Sequence, residues 1–182
     1  MTCVVGVVHK GRVYMGADSA ASNTSFSRPR VDRKVFHNGP YLMGYTTSFR
    51  MGQLLQHALK VPAPPFDADA LHGFMVTDFV NAMRTCFQEG GWLKQTEGRD
   101  KGGTFLVGVQ GRLFVIESDL QVGEYTDSFA AVGSGDSYAL GSLHTTATSD
   151  DGPRRRITKA LDAAASFNPY VSKPFHIIKE QA

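Results

Sequence analysis

The sequence predicts an α+β fold in which two antiparallel sheets lie stacked between two layers of helix, a four-layer αββα sandwich. Three observations predict it. Short apolar runs are joined across brief turns, which makes antiparallel hairpins. Apolar residues at helical spacing occur in two pairs of segments, and each pair can cover one outer sheet face. The order along the chain is strands, two helices, strands, two helices, strand. No repeat, linker or low-complexity tract interrupts it, so residues 1–182 read as one domain.

Each element has a local reason. Cys3 to Val8 is a valine-rich run, His9-Lys10-Gly11 has turn character, and Arg12 to Ala17 is a second strand-like run. Ala20 to Asp32 is rich in Ser, Asn and Arg and reads as a surface loop. Arg33 to His37 and Tyr41 to Tyr45 make another strand pair, turned by Asn38-Gly39-Pro40. Ser48 can cap a helix whose apolar positions are Met51, Leu54, Leu55, Ala58 and Leu59, and Pro62 ends it. Asp67 or Asp69 can cap the next, through Leu71, Met75, Phe79, Met83 and Phe87, which Gly90-Gly91 stops. A polar loop is expected as far as Gly103. Strands return at Thr104 to Val109, Leu113 to Glu117 and Gln121 to Val132. Gly133-Ser134-Gly135 opens a helix carrying Tyr138, Leu140 and Leu143. A further helix runs through Ile157, Leu161 and Ala165, and Phe175 to Lys179 closes the chain as a strand.

Composition removes several functions. A net charge of +2 supplies no electrostatic footprint for nucleic acid or for an anionic membrane. The basic run Arg154-Arg155-Arg156 reads as a solvated helix face. Cys3 and Cys86 are too few for a disulfide framework, and no Cys or His pair has metal-ligand spacing, so neither a metal site nor a cofactor is expected. No apolar run approaches the ~20 residues of a spanning helix. The start of the chain has no charged segment leading into an apolar one, which makes the cytoplasm the expected compartment.

The chemistry concentrates in three residues of the first 34. Thr2 becomes the N-terminus if Met1 is removed. Asp18 ends the second strand in Gly16-Ala17-Asp18-Ser19, and Lys34 stands at the head of the third in Arg33-Lys34-Val35-Phe36. The run Thr2-Cys3-Val4-Val5-Gly6-Val7-Val8 resembles the mature N-terminus of proteasome β subunits and of their bacterial relative, the heat-shock ring peptidase. In those N-terminal-nucleophile hydrolases a catalytic threonine, the aspartate of a Gly-x-Asp motif and a lysine keep this spacing. Gly133-Ser134-Gly135 resembles their later Gly-Ser-Gly.

The residue types make physical sense in those roles. A threonine hydroxyl is a poor nucleophile until a base takes its proton, and a free α-amino group can be that base. Its reference pKa is about 7.7–8.0, and a nearby ammonium lowers it further. Lys34 is therefore expected to tune the amine and hydroxyl, Asp18 to pair with Lys34, and Ser134 to hydrogen-bond the amine. A backbone amide at Thr46-Thr47 is expected to hold the oxyanion. The resemblance implies a threonine-type endopeptidase acting on peptide or unfolded-protein substrates in a homo-oligomeric ring, with an ATP-driven unfoldase as partner. No propeptide is expected before Thr2, so methionine excision would expose it.

The chain departs from that pattern in places. The family's oxyanion glycine is replaced by Thr47, whose side chain is expected to narrow the first substrate pocket. The family's second supporting pair, an aspartate and a serine, would fall near Asn168 and Val171, which supply neither a carboxylate nor a hydroxyl. Cys3 is a rival nucleophile if two residues are removed. A phosphate-loop reading of Gly133-Ser134-Gly135 fails, because Tyr138 stands where the third glycine belongs. Two other functions compete: a small-molecule amidase on the same fold, and a ring or scaffold subunit with a decayed site.

Overall fold

Lys10 and Gly11 both take left-handed backbone angles (φ 50° and 69°) and reverse the chain between β1 (Cys3–His9) and β2 (Arg12–Ala17). The computed structural model describes residues 2–22 and 27–181. The further strands are β3 (Ala20–Ser22), β4 (Ser27–Pro29), β5 (Val35–Asn38) and β6 (Tyr41–Tyr45). Helix α1 (Phe49–His57) follows, then α2 (Leu71–Phe74), a π-helical stretch (Met75–Phe79) and α3 (Val80–Glu89) in one continuous rod. The second half contains β7 (Lys94–Thr96), β8 (Arg99–Lys101), β9 (Phe105–Val109), β10 (Arg112–Ile116), β11 (Val122–Gly123) and β12 (Phe129–Gly133). Helices α4 (Asp136–Thr145) and α5 (Pro153–Phe167) and strand β13 (His176–Lys179) complete it.

All the strand pairs are antiparallel. One sheet has the order β12-β1-β2-β13 and the other β11-β10-β9-β6-β5. Side-chain alternation sorts the apolar residues into three clusters. Val4, Val13, Met15, Leu42, Leu106 and Val115 meet between the two sheets. Cys3, Val5 and Val7 point the other way, onto Ile157, Ala160, Leu161 and Ala164 of α5. Tyr41, Met43, Phe105, Val107 and Phe114 pack under Met51, Leu55, Met83 and Phe87 of the first helix group. Each central strand therefore has both faces buried, which is why these runs are apolar almost without interruption.

Several elements differ from the sequence reading. The surface loop expected over 20–32 includes the β3–β4 hairpin; residues 23–26 of that segment lie outside the described ones. The polar loop before Gly103 contains a second small hairpin, β7–β8, turned at Glu97-Gly98 in left-handed angles. Apart from the buried Ala20, neither hairpin has a buried residue, so neither shows an apolar alternation. The strand expected over Gln121 to Val132 is two strands, β11 and β12, in different sheets.

Among the helices, Ser48 caps α1 as expected, accepting from Arg50 N at 3.1 Å. Asp67 instead closes a turn on Asp69 N (3.0 Å), and α2 starts after Ala70 with no side-chain cap. In α4 the buried residues are Ala139 and Leu143, while Tyr138 and Leu140 are exposed and Tyr138 stacks on Phe167. In the basic run, Arg154 and Arg155 are solvated but Arg156 turns inward. It donates to Leu143 O at 3.1 Å and lies over the Phe129 ring.

Candidate active site

The β1–β2 register pairs Val4 with Ala17, so the next residue, Asp18, stands across from Cys3 beside Thr2. Its carboxylate fixes that end of the hairpin: Oδ1 accepts from Cys3 N (3.0 Å) and Oδ2 from Ala20 N (2.9 Å). Lys34 arrives from the other sheet, held at the head of β5 by Tyr45 N donating to its carbonyl (3.0 Å). Its Nζ donates to Asp18 Oδ1 over 2.9 Å. The pair closes the gap between the sheets, and each residue is only 1% exposed. Burial pushes the Lys34 ammonium pKa below its ordinary value, and the Asp18 carboxylate opposes that shift. Lys34 is among the largest fully buried side chains of the chain.

Ser134 reaches Thr2 from the opposite side. Pairing of β1 with β12 sets Cys3 against Gly133 and so brings residue 134 to residue 2. Thr2 N donates to Ser134 Oγ (3.2 Å), and Gly135 N donates to Thr2 O (3.3 Å). Gly133 itself has φ 106°, and a Cβ there would stand 2.3 Å from Thr2 O, so only glycine fits. Asn168 Nδ2 donates to Ser134 O (2.5 Å) while its Oδ1 accepts from Tyr170 N (2.9 Å). Asn168 therefore supports the Gly-Ser-Gly turn through its amide, and Val171 is a core residue beside α5.

Thr47 follows the end of β6 with φ 59°, a conformation that costs a non-glycine residue about 1–2 kcal/mol. Among the described residues its backbone N–H has no acceptor. Thr47, Thr2, Ser22, Tyr45, Thr46, Ser48 and Phe49 line one cavity of about 330 Å³. Thr2 and Thr47, the latter with a backbone N–H that has no acceptor among the described residues, thus line the same cavity together with Tyr45 and Phe49. Thr47 Oγ1 is turned toward Thr104, accepting from its N–H at 3.1 Å. A larger hollow of about 660 Å³ lies between α1 and α3, but none of its lining residues belongs to this group.

Three features restrict the chemistry. With Met1 attached, Thr2 N is an amide and has no basic lone pair; Met1 lies outside the described residues. Cys3 has no exposed surface, and its thiol is pushed up to about 12, first by burial and then by Asp18. It cannot supply a thiolate at neutral pH. No group of three or more His, Cys, Asp or Glu residues is placed to hold a metal among the described residues.

The backbone is similar to that of Thiobacillus denitrificans BPH in complex with epoxomicin: TM-score 0.79 at 19% identity, over 98% of both chains. It is similar also to eukaryotic HslV from Trypanosoma brucei, with a TM-score of 0.68 at 15% identity over 98% of this chain and 99% of that one. The chain has the HslV-type, proteasome-like fold. The Anbu (Gly-1) mutant from Hyphomicrobium sp. strain MC1 shares it, at TM-score 0.67 and 16% identity over 97% of this chain and 80% of that one. No protein-family model matches the sequence, and no curated protein is significantly similar to it. Among the described residues no helix is long and apolar enough to cross a membrane.

Some contributors were not legible beforehand. Asn168 read as a lost function, yet its amide reaches Ser134. Thr104 carried no signal beyond following Gly102-Gly103, and it contacts both Thr46 and Thr47. Tyr45, read only as the end of a strand, and Phe49 also line the cavity.

Proposed function

We propose that the chain is a threonine-type endopeptidase of the N-terminal-nucleophile class, with Thr2 as nucleophile after loss of Met1. The observation that carries this reading is the cavity lined by both Thr2 and Thr47, whose N–H has no acceptor among the described residues. The Thr2 amine takes the proton of its own hydroxyl as Oγ attacks the substrate carbonyl carbon. The negative charge that develops on the carbonyl oxygen is stabilised by the Thr47 N–H. Collapse breaks the C–N bond, the proton passes from the amine to the leaving nitrogen, and an ester remains on Thr2 Oγ. Water then hydrolyses that ester, again with the amine as base. Lys34 keeps a positive charge beside the site, Asp18 orients it, and Ser134 holds the amine.

In this reading the three apolar clusters correspond to the interfaces of a four-layer αββα sandwich. The working form is a closed homo-oligomeric ring in the cytoplasm, fed peptide or unfolded protein by an ATP-dependent unfoldase. The apolar positions of the first helix group do not argue for the ring, because Met51, Leu54, Leu55, Met83 and Phe87 are all buried in the subunit's own core.

The test joins intact mass with covalent labelling. Active protein should begin at Thr2 and take up one equivalent of an epoxyketone, a reagent that needs both hydroxyl and amine. Thr2→Ala should abolish labelling and Thr2→Ser should retain part of it. Assembled protein that begins at Thr2, yet resists an epoxyketone and a β-lactone and leaves peptides intact, would leave a scaffold subunit as the better reading.

A further inference from the structure

Three threonines that meet beside the cavity form a closed circuit of hydrogen bonds. Thr46 Oγ1 donates its proton to Thr104 O over 2.7 Å. Having one proton, that hydroxyl must accept in its contact with Thr47 Oγ1 at 3.3 Å, so the Thr47 hydroxyl is the donor there. Thr47 Oγ1 in turn accepts from Thr104 N at 3.1 Å. Every bond runs in the same sense: Thr104 N–H to Thr47, Thr47 O–H to Thr46, Thr46 O–H to Thr104 O. Bonds arranged head to tail polarise one another and strengthen. Thr46 N also donates to Thr104 O (3.2 Å), which fastens the turn to the same residue a second time.

This circuit depends on the one position where the chain replaces the glycine of the proteasome-like pattern. A glycine at 47 takes φ 59° without strain but has no hydroxyl; a threonine is strained there unless something holds it. Gly103 supplies the space, since a Cβ on it would lie 3.0 Å from both Thr47 Cβ and Oγ1. Relaxation of residue 47 to right-handed angles would rotate the peptide plane between 46 and 47, and with it the unpartnered N–H.

We propose that Thr47 is a positioning residue. Its hydroxyl closes the Thr46–Thr47–Thr104 circuit, which locks the left-handed turn and holds the Thr47 N–H in the Thr2 cavity. The inference rests on the peptidase reading for its kinetic consequence and on geometry alone for the circuit itself. It also predicts non-additivity: opening the circuit at Thr46 or at Thr47 has the same effect, and opening it at both adds little.

The experiment compares Thr47→Val, Thr47→Ser, Thr46→Val and the Thr46→Val/Thr47→Val double variant in the assembled protein. Two readouts are taken: kcat and KM on a fluorogenic peptide, and amide hydrogen exchange resolved at Thr104. Thr47→Val is expected to lower kcat about 10- to 100-fold with KM changed less than about threefold, the pattern of a lost transition-state contact. Thr104 exchange should quicken about tenfold. Thr47→Ser should restore both, and the double variant should match the singles. Unchanged Thr104 exchange in Thr47→Val would overturn the circuit. Faster exchange with undiminished kcat would overturn the positioning role. A wild-type protein inert to both peptide and epoxyketone would sink the peptidase reading separately, and the exchange data would still decide whether the circuit holds the turn.

Discussion

Lys34 Nζ, carried by one sheet, donates over 2.9 Å to Asp18 Oδ1, carried by the other, and neither side chain is open to solvent. Removing one partner of such a pair leaves the other charge buried, which typically costs about 3–5 kcal/mol. Lys34→Met and Asp18→Asn should each lower stability by about that much. The double variant should cost clearly less than their sum, as read from urea unfolding in a double-mutant cycle. Lys34→Arg should rescue neither stability nor turnover, because a planar guanidinium does not fit the space of an ammonium. A Lys34→Met variant within about 1 kcal/mol of wild type would show that the pair carries no such weight.

The buried acids make the fold sensitive to alkali. The Cys3 thiol rises from 9.0 to about 12 in the folded chain, and burial also raises the Tyr41 and Tyr45 phenols. A raised folded pKa means that the folded state binds more protons than the unfolded one between the two values. The associated stability is complete below the unfolded pKa and is lost as pH rises through the folded one. Lys34, shifted down, contributes with the opposite sign just below its ordinary 10.5, but the three acids outweigh it. The urea midpoint should therefore fall between pH 9 and pH 11, and Cys3→Ala should flatten the early part of that fall. A midpoint that stays level or rises over the interval contradicts this.

The same thiol shift predicts chemical silence. Cys3 and Cys86 are both buried with raised pKa, so neither should react with a disulfide reagent at pH 8 until the chain is unfolded. Fast native-state labelling of Cys3 would restore it as a rival nucleophile.

Gly133 has φ 106°, and a methyl group there would meet Thr2 O at 2.3 Å, a backbone atom that cannot move without moving Thr2. Gly133→Ala should cost about 2–4 kcal/mol and slow epoxyketone labelling about 100-fold or more. Labelling at the wild-type rate would show that Thr2 tolerates displacement.

Glu180 closes the far end of the sandwich. Its buried carboxylate accepts from Val13 N and Gly111 N, both at 3.1 Å, while its own N–H donates to Val13 O at 2.8 Å. Glu180→Ala strands two N–H groups and should cost about 2–3 kcal/mol, with Glu180→Gln costing less because one acceptor survives. Equal thermal midpoints for wild type and Glu180→Ala would contradict this.

Assembly is tested directly. Native mass spectrometry of the protein at micromolar concentration should show a closed ring of identical subunits. A spectrum containing monomer alone counts decisively against the ring.

Local rules explain how much of this was readable in the chain. A Lys10-Gly11 turn between two apolar runs fixes the β1–β2 register, and register carries Asp18 to the side of Thr2. Helical spacing with a serine cap located α1, and a paired glycine stopped α3. Apart from Ala20, the hairpins β3–β4 and β7–β8 have no buried residue, so the period-two pattern that reveals a strand is missing from them. The β11–β12 break was invisible for the opposite reason: the run from 121 to 132 is continuous in sequence, and only the divergence of two sheets divides it.

The sequence by itself determined the order of the central strands and the helices, the pairing that sets Asp18 beside residue 2, and the residue types from which a threonine nucleophile could be built. Those follow from turns, caps and periodicity, which act within a few residues. The tertiary structure alone decided that Lys34 is buried, that Asn168 serves Ser134, and that Thr47 adopts left-handed angles over Gly103. Each of those depends on a partner brought from another element, 16 residues away for Lys34 and Asp18, 34 for Asn168 and Ser134, and 57 for Thr104 and Thr47. Desolvation and hydrogen-bond closure are properties of what surrounds a side chain, and the stacking of the two sheets is what supplies those surroundings.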